Sequence, residues 1–271
     1  RLAARNGDRQ NAAGWEKFTV SAARGTEILV RHAEMLNDNN GLYSRGNDGP
    51  EGSVYTANLR NAPAKTVYIC SGNGQETYHP TVTYYGFRYL EITASADITV
   101  HKVSGETLTS ITKEQDSGTF TSSSALLNQL YSNIKWSQYS NYFGQATDCP
   151  QRDERLGYSG DQNFFAATGM YNADVKAFSR NFMKTLADGQ ASDGAYGNTL
   201  PFANADGSAW AGVGGYADAG ILIPYRYYRQ YGDTSLMEEY WPSMTKYMDY
   251  LFSRQSGSWY LTGLTESETK P

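Results

Sequence analysis

Residues 15 to about 120 alternate short β-branched and aromatic runs with clusters of Gly, Asn, Asp and Pro. Runs at 15–20, 27–33, 54–59, 65–70, 81–92 and 97–103 predict strands, and their close spacing between turn residues predicts an antiparallel β-sandwich. Within 27–33 the alternation puts Ile28, Val30 and His32 on one face and Leu29, Arg31 and Ala33 on the other. Asn37-Asp38-Asn39-Asn40-Gly41 and Gly46-Asn47-Asp48-Gly49-Pro50 break the pattern and predict loops.

After Thr119 the period lengthens. Ser123 or Ser124 is placed to cap a helix in which Leu127, Leu130, Tyr131 and Ile134 recur at steps of three and four. Helices follow at about 162–171, 173–187, 216–230 and 235–253. In the last, Met237, Tyr240, Met244, Tyr247, Met248 and Leu251 trace one stripe, and Pro242 kinks or restarts it. The change of period predicts a sandwich domain over 1–121 and a helical domain over 122–271. Two long polar loops, 141–157 and 188–215, join these helices, and loops of that length inside a compact domain are usually functional or disordered.

A chain of 271 residues is long enough for two domains. Lys+Arg 23 against Asp+Glu 28 gives a formal net charge of −5 with no lysine-rich block, which argues against nucleic acid or an anionic membrane surface as partner. The longest apolar run, 219–225, is too short for membrane insertion, and the first residues, Arg-Leu-Ala-Ala-Arg, are no signal peptide. The 22 tyrosines suit either sugar-stacking faces or a tyrosine-rich helical core. Cys70 and Cys149 fall in segments read as different domains, so no disulfide framework is expected.

The densest chemistry lies in Asp148-Cys149-Pro150-Gln151-Arg152-Asp153-Glu154-Arg155-Leu156-Gly157-Tyr158-Ser159-Gly160-Asp161, a run too polar for a core. Pro150 makes its start extended, Gly157 and Gly160 keep it irregular, and Ser159 with Gln162 reads as a capping box opening the next helix. Asp161 then lies in the first helical turn, where the helix dipole favours a negative charge. The expected arrangement is a folded loop that gathers Asp148, Glu154 and Asp161 around Arg152, an environment that tunes one carboxyl toward general-acid work. The competing reading is a solvated surface ion-pair network.

Other chemistries find little support. His32, His79 and His101 all lie in the sandwich without metal-type spacing. A calcium cage from Asp148, Asp153, Glu154 and Asp161 is opposed by the interleaved arginines, so neither metal nor cofactor is expected. Gly212-Val213-Gly214-Gly215-Tyr216-Ala217 fits a dinucleotide-loop spacing but lacks a preceding strand.

The 148–161 block resembles the signature of the α-L-rhamnosidases of glycoside hydrolase family 78. Gln10-Asn11-Ala12-Ala13-Gly14-Trp15, Arg31-His32-Ala33-Glu34, Asn58-Leu59-Arg60, Tyr85-Gly86-Phe87-Arg88-Tyr89 and Ala217-Asp218-Ala219-Gly220-Ile221-Leu222-Ile223-Pro224-Tyr225 resemble further family blocks in the family's order. The resemblance implies a β-sandwich ahead of an (α/α)6 barrel, and inverting hydrolysis of terminal α-L-rhamnosides. It makes Glu154 the general acid and assigns Asp148, Arg152 and Asp161 to the rhamnose hydroxyls. Tyr158 and Tyr216 stand where the family usually carries Trp, which keeps an aromatic face for the sugar, and Asp218 is a further pocket candidate.

The pattern holds about six helical segments, about half of what such a barrel uses. No position matches the family's catalytic base, so the sequence is expected to be part of a longer enzyme. The implied partners are rhamnose-containing oligosaccharides, polysaccharides or glycosides; a homodimer is compatible with the reading, and the expected location is secreted or periplasmic. Two alternatives stand beside it, a non-catalytic carbohydrate-binding module and a related glycosidase acting on another sugar.

Overall fold

The computed structural model describes residues 2–5, 10–38, 48–201 and 211–255. The chain divides into two compact units. One comprises Arg1–Thr109, Leu130–Asn141 and Cys149–Arg155; the other comprises Ser110–Gln129, Tyr142–Asp148 and Leu156–Pro271.

In the first unit the strands are β1 (Leu2–Arg5), β2 (Ala12–Ala22), β3 (Glu27–Ala33), β4 (Met35–Leu36), β5 (Val54–Tyr55), β6 (Lys65–Ile69), β7 (Gln75–Tyr78), β8 (Tyr85–Phe87), β9 (Tyr89–Ala94) and β10 (Ile98–Thr107). Eight of them form two antiparallel sheets, β1-β9-β3-β6 and β10-β2-β7 with β8 also paired to β2, and so build the expected sandwich, while β4 and β5 pair only with each other. Phe18 and Val20 of one sheet and Ile28, Val30, Leu90 and Ile92 of the other fill its core, as two-residue alternation requires. Ile28, Val30 and His32 do share the buried face of β3, although Ala33 is buried as well.

Two expected strands are corrected. The run 54–59 is extended only over β5; Ala57–Leu59 is a 3-10 turn, whose start is held by Asp48 Oδ2 accepting from Thr56 N, Thr56 Oγ1 and Ala57 N. The run 81–92 is two strands in different sheets, and the chain passes between them at Arg88, whose N–H donates to Ala33 O at 2.9 Å. Half of the loops expected at 37–41 and 46–50, residues 39–41, 46 and 47, lies outside the described residues; Asn37 and Asp48 are bonded to each other by Asn37 Nδ2 at 2.9 Å.

Glu76 on β7 accepts hydrogen bonds from Ser71 N, Tyr68 Oη and Gly72 N at 2.7–2.8 Å. The Ser71 N–H, then the tyrosine hydroxyl, lower its carboxyl to about 2, and Glu76 in turn pushes Tyr68 up to about 12. A carboxyl depressed in the folded state stabilises above its unfolded value near 4.5, and that contribution disappears as pH falls toward about 2. Unfolding by urea at stepped pH should therefore show an acid-side loss of stability between those values that Glu76→Gln flattens.

The second unit carries the start of α1 (Ala125–Asn141), the hairpin β11 (Tyr142–Phe143) and β12 (Gln145–Ala146), β13 (Gly157–Tyr158), α2 (Ser159–Asn172), α3 (Lys176–Asp188), β14 (Thr199–Leu200), α4 (Ala219–Tyr231) and α5 (Ser235–Ser253). Ser124 Oγ accepts from Leu127 N at 3.4 Å at the start of α1. The stripe expected along that helix is not its buried face: Leu127 and Leu130 are about half exposed, and burial falls on Gln138, Tyr139 and Ser140. Along α5, which runs unbroken through Pro242, Leu236, Met244, Tyr247 and Tyr250 are buried, while Met237, Tyr240, Met248 and Leu251 flank that line.

Tyrosine dominates this core. Tyr142, Tyr196, Tyr227 and Tyr247 are almost wholly enclosed, and Tyr142 stacks on Phe178 at 4.0 Å between ring centroids. Three of the hydroxyls are hydrogen-bonded: Tyr196 to Ser243, Tyr227 to Asp233 and Tyr247 to Asp218. These four tyrosines therefore belong to the packing reading of the high tyrosine count. Among the described residues no helix is long and apolar enough to cross a membrane.

Candidate active site

The loop Cys149–Arg155 belongs to the first unit, where the sandwich supplies its partners. Asp153 Oδ2 accepts from Asn61 Nδ2 at 3.0 Å and Asn61 N at 3.3 Å. Partial desolvation raises the Asp153 carboxyl, but the Asn61 donors and Arg60 outweigh it and hold it below the usual range. The Arg155 guanidinium lies over the Tyr84 ring, 5.0 Å from its centroid. At Gln151 the loop comes so close to β8 that a Cβ on Gly86 would sit 2.6 Å from the Gln151 Cβ and 2.9 Å from its backbone nitrogen. Only glycine leaves that space.

Glu154 sits in this loop with its side chain about one-fifth exposed, at 21%. Arg152 Nη2 pairs with Glu154 Oε2, and Arg60 Nη1 lies 3.5 Å from the same oxygen. Both cations thus face Oε2 rather than Oε1. The expected neighbour Arg152 is in place; Arg60, from the turn after Ala57–Leu59, is a second one that spacing within the loop could not reveal. Its only sequence signal is the Asn58-Leu59-Arg60 block.

Asp148, Tyr158, Asp161, Tyr216 and Asp218 belong to the second unit. The two long polar loops are not independent there: β13 pairs with β14, Gly157 opposite Leu200 and Tyr158 opposite Thr199, so one loop fixes the other. Thr147 bridges to Gly157, which closes the neck of the segment that carries Asp148. Residues 202–210 of the second loop lie outside the described residues.

Ser159 is not the cap expected of it. It is already helical and fully buried, and its hydroxyl donates to Gly197 O and Asn198 O at 3.1 Å, so it ties the helix start to the 197–198 backbone instead. Asp161 does lie in the first turn of α2 and is exposed. The ring of Tyr216 covers the same turn: a Cβ on Gly160 would meet its Cδ1 at 2.7 Å. Asp218 uses both oxygens within the protein, Oδ2 accepting from Gly215 N at 2.8 Å and Oδ1 from Tyr247 Oη at 2.9 Å. Of the glycines of the dinucleotide-like spacing, Gly212 serves packing, since it has φ +77 and a Cβ there would lie 2.2 Å from Tyr250 Oη, whereas a Cβ on Gly214 would meet open space.

The three histidines and Cys70 have structural surroundings. His32 is enclosed between Glu16 and Ala64, His79 stacks on Trp15 at 5.1 Å, and His101 bonds Ser21. Cys70 is a core thiol whose burial pushes it up.

Comparison with known proteins matches residues 115–268 to the bacterial α-L-rhamnosidase six-hairpin glycosidase domain and residues 9–111 to the bacterial α-L-rhamnosidase concanavalin-like domain. The chain belongs to the bacterial α-L-rhamnosidase family. An α-L-rhamnosidase of Streptomyces avermitilis is 37% identical over 249 residues, 92% of this chain and 22% of that protein. One from Formosa agariphila is 34% identical over 240 residues, 88% of this chain and 24% of that protein. The crystal structure of Streptomyces avermitilis α-L-rhamnosidase complexed with L-rhamnose matches with a TM-score of 0.80 at 37% identity, covering 92% of this chain and 23% of that one. The chain thus spans under a quarter of the length of these curated relatives. The expected architecture, a β-sandwich followed by helices of a six-hairpin glycosidase domain, is the observed one, with five α-helices among the described residues.

Proposed function

We propose that the protein carrying this sequence is an inverting α-L-rhamnosidase that removes terminal α-L-rhamnosyl residues from glycosides or polysaccharides, with Glu154 as its general acid. The observation that carries the reading is the setting of Glu154: a carboxyl in a short fixed loop, gripped through Oε2 by Arg152 and Arg60. Family membership supports the substrate class.

In the proposed reaction the Glu154 O–H bond breaks as its proton passes to the departing oxygen. The glycosidic C–O bond breaks with it, and a water oxygen bonds the anomeric carbon from the opposite face. Asp148, Arg152 and Asp161 are assigned to the rhamnose hydroxyls, and Tyr158 and Tyr216 to its apolar face. Asp218, with both oxygens engaged, shapes the turn that presents Tyr216. Inversion also needs a carboxylate about 6.5–9.5 Å from the acid to take the water proton. We assign no residue of this sequence to that part.

Proton NMR during cleavage of an aryl α-L-rhamnoside tests the proposal, and β-L-rhamnose should appear first. First release of the α anomer would overturn the inverting mechanism. Rhamnose binding without turnover would make the protein a carbohydrate-binding module, and turnover confined to another aryl glycoside would change the sugar.

A further inference from the structure

The sandwich turn 57–64 is built with more care than a connection between two strands requires. Its start is held by the three hydrogen bonds to Asp48 Oδ2, Asn58 Nδ2 donates to Glu34 Oε2 at 3.0 Å, and Leu59 is sunk in the core. At its far end Ala64 O accepts from both His32 N and His32 Nδ1 at 2.9 Å. Between these anchors Arg60 and Ala64 have φ of 56° and 40°, a left-handed region that a side chain enters at a cost and that persists only where the surroundings impose it. What the turn presents is two adjacent residues aimed at one loop: Asn61 holds Asp153 through two N–H groups, and Arg60 reaches Glu154.

We infer that Arg60 is a positioning residue for the reaction, a cation supplied by the sandwich that fixes the Glu154 carboxyl and stabilises the carboxylate left when its proton has gone. The inference rests on the reading of Glu154 as the acid. The chemistry follows from charge. As the proton moves to the leaving oxygen, negative charge develops on Glu154, and two guanidinium groups already face Oε2. Arg152 is a neighbour two residues away and moves with the loop; Arg60 belongs to a separately anchored turn and so fixes the carboxyl against the sandwich. The sandwich then contributes to catalysis directly.

The test compares kcat/KM on an alkyl α-L-rhamnoside, whose leaving oxygen needs a proton, with that on a dinitrophenyl α-L-rhamnoside, whose leaving oxygen does not. Arg60→Ala should lower the first by about tenfold to a hundredfold, the scale of loss when a reacting group is misplaced. The second should stay within about twofold of the parent if proton delivery alone is impaired. Arg60→Lys should recover most of the alkyl rate, because a cation is restored near the same oxygen. Equal losses on both substrates, or none on either, would overturn the inference. Arg60→Gln serves if the alanine variant folds poorly. Glu154→Gln in the same assay separates the two readings: if it discriminates between the substrates and Arg60→Ala does not, the acid stands and the role of Arg60 falls; if Glu154→Gln does not discriminate, both fall.

Discussion

Glu154→Gln should lower kcat/KM on alkyl α-L-rhamnosides by about 10²- to 10⁴-fold, the range that a placed general acid supplies. The substitution keeps the shape of the side chain and removes the transferable proton. A dinitrophenyl rhamnoside, whose leaving group departs without help, should lose far less. Stability should change little. The side chain is partly exposed, and ion pairs at such positions contribute about 0–1 kcal/mol, so losing the charge opposite Arg152 and Arg60 leaves two cations that solvent can reach. Steady-state kinetics on the two substrates, with an unfolding curve for each variant, checks both statements. A comparable loss on both substrates would place Glu154 in sugar binding, and near-parental turnover on both would remove it from the chemistry.

Much of this molecule was legible because its patterns are local. The two-residue alternation of β3 identified Ile28, Val30 and His32 as one buried face, and the longer period after Thr119 announced the helices. The acidic loop announces itself by composition, and of the carboxyls expected around Arg152, Glu154 is paired with it. What escaped is non-local. The run 81–92 looked continuous because both halves are apolar, yet β8 and β9 serve opposite sheets, and only pairing partners reveal where the chain crosses. Ser159 resembled a cap because its spacing to Gln162 is that of a cap; the carbonyls of residues 197 and 198, far along the chain, claim its hydroxyl instead.

The same limit hides the sandwich's hold on Glu154. Nothing in 148–161 points to residue 60, since the link is a turn whose backbone lies in the left-handed region and whose anchors are scattered over Asp48, Leu59 and His32. Gly86 is comparable: a lone glycine in a strand signals close backbone approach, but not that the visitor is Gln151. Tyrosine is ambiguous for a different reason, because burial and sugar stacking ask for the same side chain, and only burial separates the enclosed Tyr196, Tyr227 and Tyr247 from the half-buried Tyr158 and Tyr216.

Glu16→Ala should lower the stability of the sandwich by about 3–5 kcal/mol, the loss typical when one member of a buried polar pair is removed. Glu16 and His32 are both fully enclosed, and Glu16 Oε2 lies 2.8 Å from His32 Nε2. The Ala64 carbonyl can only accept, so His32 Nδ1 carries a hydrogen, and one further hydrogen is shared between Nε2 and Oε2. The imidazole also stacks on Tyr85 at 3.8 Å, which leaves it no route to solvent once its partner is gone. Replacing both members by leucine should cost less than the sum of the single changes, because no unpaired polar atom then remains. Urea unfolding of the two single variants and the double variant measures this, and simple additivity would refute the pairing argument. The consequence reaches the acid loop, because His32 anchors the end of the turn that carries Arg60. A Glu16 variant that still folds should therefore lose activity on alkyl rhamnosides more than on dinitrophenyl ones, in the pattern of Arg60→Ala and from a residue buried in the sandwich core.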